Sequence, residues 1–157
     1  MIIQFWSVGK DNEAYIKTGV AEFTKRISKY YKVEWKIIPL PKNAAAMSES
    51  ELKKKEGEKI LGLLKKDDYL VVLDQKGTHL TSESFADFIK AKANESIKSL
   101  VFVIGGAYGL DKDVLDKARF KWSLSHLTFP HQLVRLILAE QVYRACTINK
   151  NEKYHHK

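Results

Sequence analysis

Residues 99–106 read SLVFVIGG: five consecutive apolar positions, Leu100 to Ile104, stopped by paired glycines. A strand with one wetted face alternates apolar and polar side chains. A strand that is apolar throughout is covered on both faces, as in the parallel sheets of α/β domains. YLVVLD at 69–74 has the same character. Outward from these two, MIIQFWSV (1–8) reads as a first buried strand ended by Gly9. KVEWKIIPL (32–40) reads as a second, stopped by Pro39 and Pro41, and KWSLS (121–125) as a short fifth. PKNAAAM at 41–47 is a loop. Helical spacing fills the intervals. It runs from about 12 to 29 through Ile16, Val20, Phe23 and Ile27, from about 82 to 93, and over 111–118. Ser48 opens another helix to about 66, with Glu51 three residues on completing a capping box. Alternating strands and helices predict an α/β fold, a mainly parallel sheet covered by helices on both faces. No linker, repeat or low-complexity tract divides residues 1–157, so one domain is expected.

The last helix raises a separate question. In LSHLTFPHQLVRLILAEQVYRA (124–145), Pro130 suits a first helical position, where its missing N–H is no loss. The helix it opens is apolar nearly all round: Leu133, Val134, Leu136, Ile137, Leu138, Ala139, Val142 and Tyr143. A helix of this kind must be covered on more than one side.

Composition bounds the function classes. Lys plus Arg number 27 against 19 Asp plus Glu, a formal charge of +8. This surplus points to a polyanionic partner, nucleic acid first, or to a merely solvated lysine-rich surface. No apolar run approaches the ~18 residues of a membrane span, and the first residues carry no basic leader or cleavage site. A cytoplasmic protein without membrane contact is expected. The single Cys146 excludes an internal disulfide and a cysteine-rich metal site. No two histidines stand at metal-site spacing on a helix, so no metal is expected. Cys146, in the run of the apolar helix, reads as packing.

Ligands of parallel sheets bind beyond the carboxyl ends of the strands. Here those ends are VGK, LDQKG, VIGGAYG and SLSHLTF. Gly105, Gly106 and Gly109 permit positive φ and close backbone approach. Their G-G-x-x-G pattern is neither the dinucleotide fingerprint nor a P-loop, and alone it fits a tight turn as well as a ligand loop. Together, LDQKG, IGGAYGL and LSHLTFPH offer backbone groups, the hydroxyls of Ser125 and Thr128, and apolar walls from Leu73, Leu124, Leu127 and Phe129. That set suits an adenine-containing ligand. Arg144 lies four residues after Glu140 and is either an i,i+4 ion pair or an RNA contact. His131 is either a local hydrogen-bonder or an RNA contact. His79 and His126 read by residue type as exposed bystanders, and His156 as incidental. Gly57, inside KEGEKIL, costs a helix about 1 kcal/mol relative to alanine, so a close neighbour or RNA is expected beside it.

VGK (8–10), KEGEKIL (55–61), LDQKG (73–77), FVIGGAYGL (102–110), WSLSHLTFPHQLVRLILAEQVYRA (122–145) and YHHK (154–157) are spread over nearly the whole chain. In them the sequence resembles the SPOUT class of RNA methyltransferases, and within it the family of bacterial large-subunit ribosomal RNA pseudouridine N3-methyltransferases. One departure is visible: that family often has lysine after the glycine of the third-strand loop, whereas here Thr78 follows Gly77 and Lys76 precedes it. The resemblance implies a C-terminal trefoil knot, which general topology rules would have argued against. It implies S-adenosylmethionine as cofactor, held by Leu73, Gly105 and the loop Leu124, Ser125, His126, Leu127, Thr128 and Phe129. It implies a homodimer through the C-terminal helix, 23S ribosomal RNA on the large subunit or ribosome as partner, and Arg144, Tyr154 and His155 as catalytic residues. A polar terminal tail could otherwise simply fray. Two rival readings are a non-catalytic ribosome-binding module that keeps the fold, and an adenylate-binding metabolic enzyme. The latter leaves the basic surplus unexplained.

Overall fold

The computed structural model describes all 157 residues. Its elements run β1 (Ile2–Val8), α1 (Ala14–Ile27), β2 (Lys32–Ile38), α2 (Glu49–Leu63), β3 (Asp68–His79), α3 (Ser82–Asn94), β4 (Ser99–Ile104), α4 (Lys112–Lys117), β5 (Phe120–Ser123) and α5 (His131–Asn149), with a short 3-10 turn at Ala44–Ala46. The five strands form one sheet in the order β2-β1-β4-β3-β5, and every pairing is parallel.

The strands sort their side chains between two layers. Ile3, Phe5, Val71, Leu100 and Phe102 point to the side of α1, α3 and α5, where they meet Ile27, Phe85, Leu138 and Val142. Trp6, Val8, Leu70, Val72, Val101 and Val103 point to the side of α2 and α4 and meet Ile60 and Val114. Both faces are therefore covered, which accounts for the unbroken apolar runs in β3 and β4. Trp122 of β5 stacks on Phe85 with ring centroids 4.1 Å apart.

Several boundaries differ from the sequence expectation. β3 runs on to His79, well past Asp74. It pairs with β5 twice: Val71–Leu73 meet Phe120–Trp122, the register then shifts, and Thr78 and His79 meet Trp122 and Ser123. Gly77 permits this, since a Cβ there would lie 2.7 Å from the Lys121 carbonyl. β5 ends at Ser123, so Leu124 and Ser125 leave the sheet. α2 ends at Leu63 rather than near 66, because the Lys65 N–H donates to the Asp68 carboxylate (2.8 Å) in a turn. The Ser48 half of its capping box is made, the hydroxyl accepting from Glu51 N–H at 3.2 Å. Pro130 is the cap residue of α5, with ψ at 143°, and not its first helical residue.

α5 lies between α1 and α3, and this packing covers much of its all-round apolar surface. Leu138, Ala139, Val142, Ala145 and Cys146 are buried, while Leu133 and Ile137 remain half-buried.

Candidate active site

The carboxyl ends of β3, β4 and β5 open into one cavity of about 560 Å³. β3 contributes Leu73 to Lys76, the loop after β4 contributes Gly105 to Leu110, and the loop after β5 contributes Leu124, Ser125, Leu127, Thr128 and Phe129. His131 and Val134 of α5 and Glu49 of α2 also line it. Local bonds set the loops. Leu127 N–H donates to Ser125 Oγ at 3.0 Å, and Ser123 Oγ to the Ser125 carbonyl at 3.2 Å. Gln75 Nε2 reaches Thr128 Oγ1 at 3.2 Å, joining the β3 and β5 loops. Gly109 N–H donates to the Gly106 carbonyl at 3.1 Å, closing a turn that Gly109 completes at φ +82°.

Of the residues expected to hold a cofactor, Leu73, Gly105, Leu124, Ser125, Leu127, Thr128 and Phe129 line this cavity. His126 does not; its ring lies against that of His79, tilted by 36° with centroids 4.1 Å apart. His131 lines the cavity beside the Gly105 backbone, and burial, helped by the charge of Arg135, pulls its imidazole below the ordinary histidine range. It is therefore neutral near pH 7.

Two charged residues behind the cavity escaped the sequence reading. Arg135 is 1% exposed. Its Nε donates to Ser7 Oγ at 2.7 Å, and its Nη1 to the Lys10 carbonyl at 2.8 Å and to Asn12 Oδ1 at 2.9 Å. It ties α5 to β1 and the loop after it through neutral oxygens only. Glu56 of α2 is 4% exposed, its carboxylate presses against Gly106, and Oε1 has no hydrogen-bond partner. Burial raises its pKa, partly offset by Lys59. Neither spacing nor residue type reveals them; the only signal is a charge set within an apolar pattern.

The expected catalytic residues meet at a second place. The chain reverses at Asn151, which has φ +55°. Glu152 N–H then donates to the Thr147 carbonyl at 2.9 Å, and Tyr30 OH donates to the Glu152 carboxylate at 2.6 Å. The tail folds back on α5. Tyr154 OH donates to Glu140 Oε1 at 3.1 Å and its ring meets Tyr143 edge-on at 4.7 Å. Arg144 pairs with Glu140, lies 4.8 Å from the Tyr154 ring centroid, and contacts His155 Nδ1 at 3.2 Å. A guanidinium can only donate. Nδ1 of His155 is therefore the acceptor, and the proton sits on Nε2, 3.0 Å from Glu83 Oε1. This bond holds the Glu83 carboxyl below its ordinary range, and burial followed by Glu140 raises the Tyr154 phenol. Arg144, Tyr154 and His155 thus form one cluster. None of them lines the cavity of the same chain. Val134 and Arg144 are separated along α5 by about 15 Å of helical rise.

The family model described as "Predicted SPOUT methyltransferase" matches residues 1–155. The relative from Cytophaga hutchinsonii, a ribosomal RNA large subunit methyltransferase H, is 47% identical over 99% of this chain and 100% of its own length. Its namesake from Flavobacterium johnsoniae is 45% identical over the full length of both. That of Carboxydothermus hydrogenoformans is 43% identical over 99% of each.

Proposed function

The chain belongs to the SPOUT methyltransferase family, and from that premise we propose that it transfers a methyl group from S-adenosylmethionine to N3 of a pseudouridine in 23S ribosomal RNA, on the large subunit or the assembled ribosome. It is a methyltransferase with the α/β fold and C-terminal trefoil knot of that family. The observation that carries the proposal is the cavity bounded by three strand-end loops. Apolar walls from Leu73, Leu124, Leu127 and Phe129 suit an adenine ring, and the hydroxyls of Ser125 and Thr128 suit ribose and amino-acid groups. The residues present fit the donor. When bound, its sulfonium supplies an electrophilic methyl group.

The protein's part is placement. It must hold N3 in line with the methyl carbon at about 3–3.5 Å and exclude water. As the N–C bond forms, the methyl–sulfur bond breaks and the N3 proton must leave. We assign removal of that proton, directly or through water, to His155, stabilisation of the imide anion to Arg144, and orientation of both to Tyr154. In the folded-back tail His155 Nδ1 is occupied by Arg144, so proton removal requires this contact to open.

We further read residues 1–157 as one catalytic domain that acts as a homodimer. The cluster lies away from its own cavity, whereas Leu133, Ile137 and Arg144 follow one another along the same stripe of α5. A two-fold contact along this stripe brings the tail of one copy toward the cavity of the other. Location in the cytoplasm, where ribosomes are, follows from the proposed substrate; no helix is long and apolar enough to cross a membrane. Mass spectrometry of ribosomal RNA from a strain lacking the protein tests the reaction: the N3-methyl mark must disappear. Its persistence overturns the assignment. Calorimetry with S-adenosylmethionine separates an enzyme from a ribosome-binding module with the same fold.

A further inference from the structure

Two of the five large apolar side chains left exposed on this chain sit on the lip of one cavity: Tyr108 at 51% and Leu127 at 68% exposure. They come from different loops, those after β4 and β5. Tyr108 occupies the third position of the turn closed by Gly106 and Gly109. Turns favour glycine, proline, asparagine, aspartate or serine at their corners, so turn chemistry does not ask for tyrosine. Half-exposed, the ring contributes little to the core. It presents an aromatic plane at the mouth of the cavity.

That mouth must receive the methyl acceptor. A base modified at a ring nitrogen has to leave its stack to be reached, and proteins hold unstacked RNA bases against aromatic faces. We propose that Tyr108 is the stacking platform for the target base of the RNA substrate. This rests on the reading of the cavity as the methyl-donor site. The formal charge of +8 supplies the long-range attraction for RNA; the ring sets the plane of the base once it arrives.

The test compares Tyr108→Ala, Tyr108→Phe and Tyr108→Trp, using unmethylated ribosomes and S-adenosylmethionine. Loss of one base–aromatic stack should lower kcat/KM for ribosomes by roughly 5- to 150-fold in the alanine variant. Both aromatic variants should restore it. The Kd for S-adenosylmethionine, the melting temperature and the sedimenting mass should stay at parental values in all three. Three results overturn the proposal. Unchanged kcat/KM in Tyr108→Ala removes any role for the ring. A weakened donor Kd assigns the ring to the donor, and an altered mass assigns it to the contact between copies. The parental protein is assayed first. If it binds no donor or transfers no methyl group, the underlying reading of the cavity fails, and that failure is distinct from any of these.

Discussion

Replacing Arg135 by methionine keeps the aliphatic stem and removes every hydrogen bond the guanidinium makes. Ser7 Oγ, the Lys10 carbonyl and Asn12 Oδ1 then lose their donor. The expected cost is about 2–4 kcal/mol, a fall in Tm of roughly 5–15 °C by calorimetry. A shift within about 1–2 °C, in the range of an ordinary surface substitution, would show that these oxygens find other partners. Glu56 makes a prediction of opposite sign. Its folded pKa is raised by burial above the ordinary 4.5. Between those two values the folded state holds more protons than the unfolded one, so stability falls as pH rises through that window. Glu56→Gln removes the titration. The variant should match or exceed the parental Tm at pH 7 and lose this falling limb, and a lower Tm at pH 7 would mean that the ionised carboxylate is what the Gly106 loop requires. Gly105 is tight for a different reason from the one its loop position suggests. A Cβ there would lie 2.9 Å from Leu110 Cγ and 3.1 Å from the Gly109 backbone. Gly105→Val therefore deforms the loop itself, and donor binding should be lost through that deformation.

At the scale of elements, the terminal tail is the sharpest case. Deleting residues 154–157 removes the Tyr154 bond to Glu140 and the His155 contacts with Arg144 and Glu83. These are partly exposed, so the melting temperature should drop by only a few degrees. Methyl transfer should fall at least ~10²-fold. The deficit should narrow at high pH, where the imide ionises without help. A truncated protein that methylates ribosomes at the parental rate would end the tail assignment and leave fold and cavity untouched. Much of this architecture is legible from residues alone. β4 and the first half of β3 have a single fate, because an unbroken apolar run must be covered on both faces, and the cavity then lies at their carboxyl ends. The second half of β3 is not legible. Asp74 to Gly77 are polar or small, and their extended path depends on β5, more than forty residues away. Side-chain direction inside a loop is equally hidden: His126 packs against His79 and does not line the cavity its neighbours line. Arg135 and Glu56 look like ordinary charges until chain-distant neighbours enclose them. The knot has no signature in periodicity and is reached only through family likeness.

At the scale of the molecule, the separation of cavity and cluster can be tested by mixing. A variant disabled at the cavity, Gly105→Val, and one lacking residues 154–157 should each be inactive alone. Unfolded and refolded together, half the dimers would be mixed, each with one intact pairing of cavity and tail, and about a quarter of parental activity should return. Sedimentation should report about twice the 18.0 kDa chain mass. No recovery in a confirmed mixed dimer would place each tail on its own cavity. The bond from Arg135 to Ser7 has a consequence of another kind. It joins β1 to α5, and α1 lies against α5 through Gly19 and Leu136. During synthesis at about 5–20 residues per second, the last residue of α1 is joined roughly 6–25 s before the last residue of α5. Over that interval the face of α1 that meets Leu136 at Gly19 and Tyr143 at Phe23 lacks its α5 cover, so the nascent chain presents a partly apolar, basic helix at the tunnel exit. The α1–α5 contact therefore closes only as the last helix is made, and the α5 side of the core is completed at the end of synthesis.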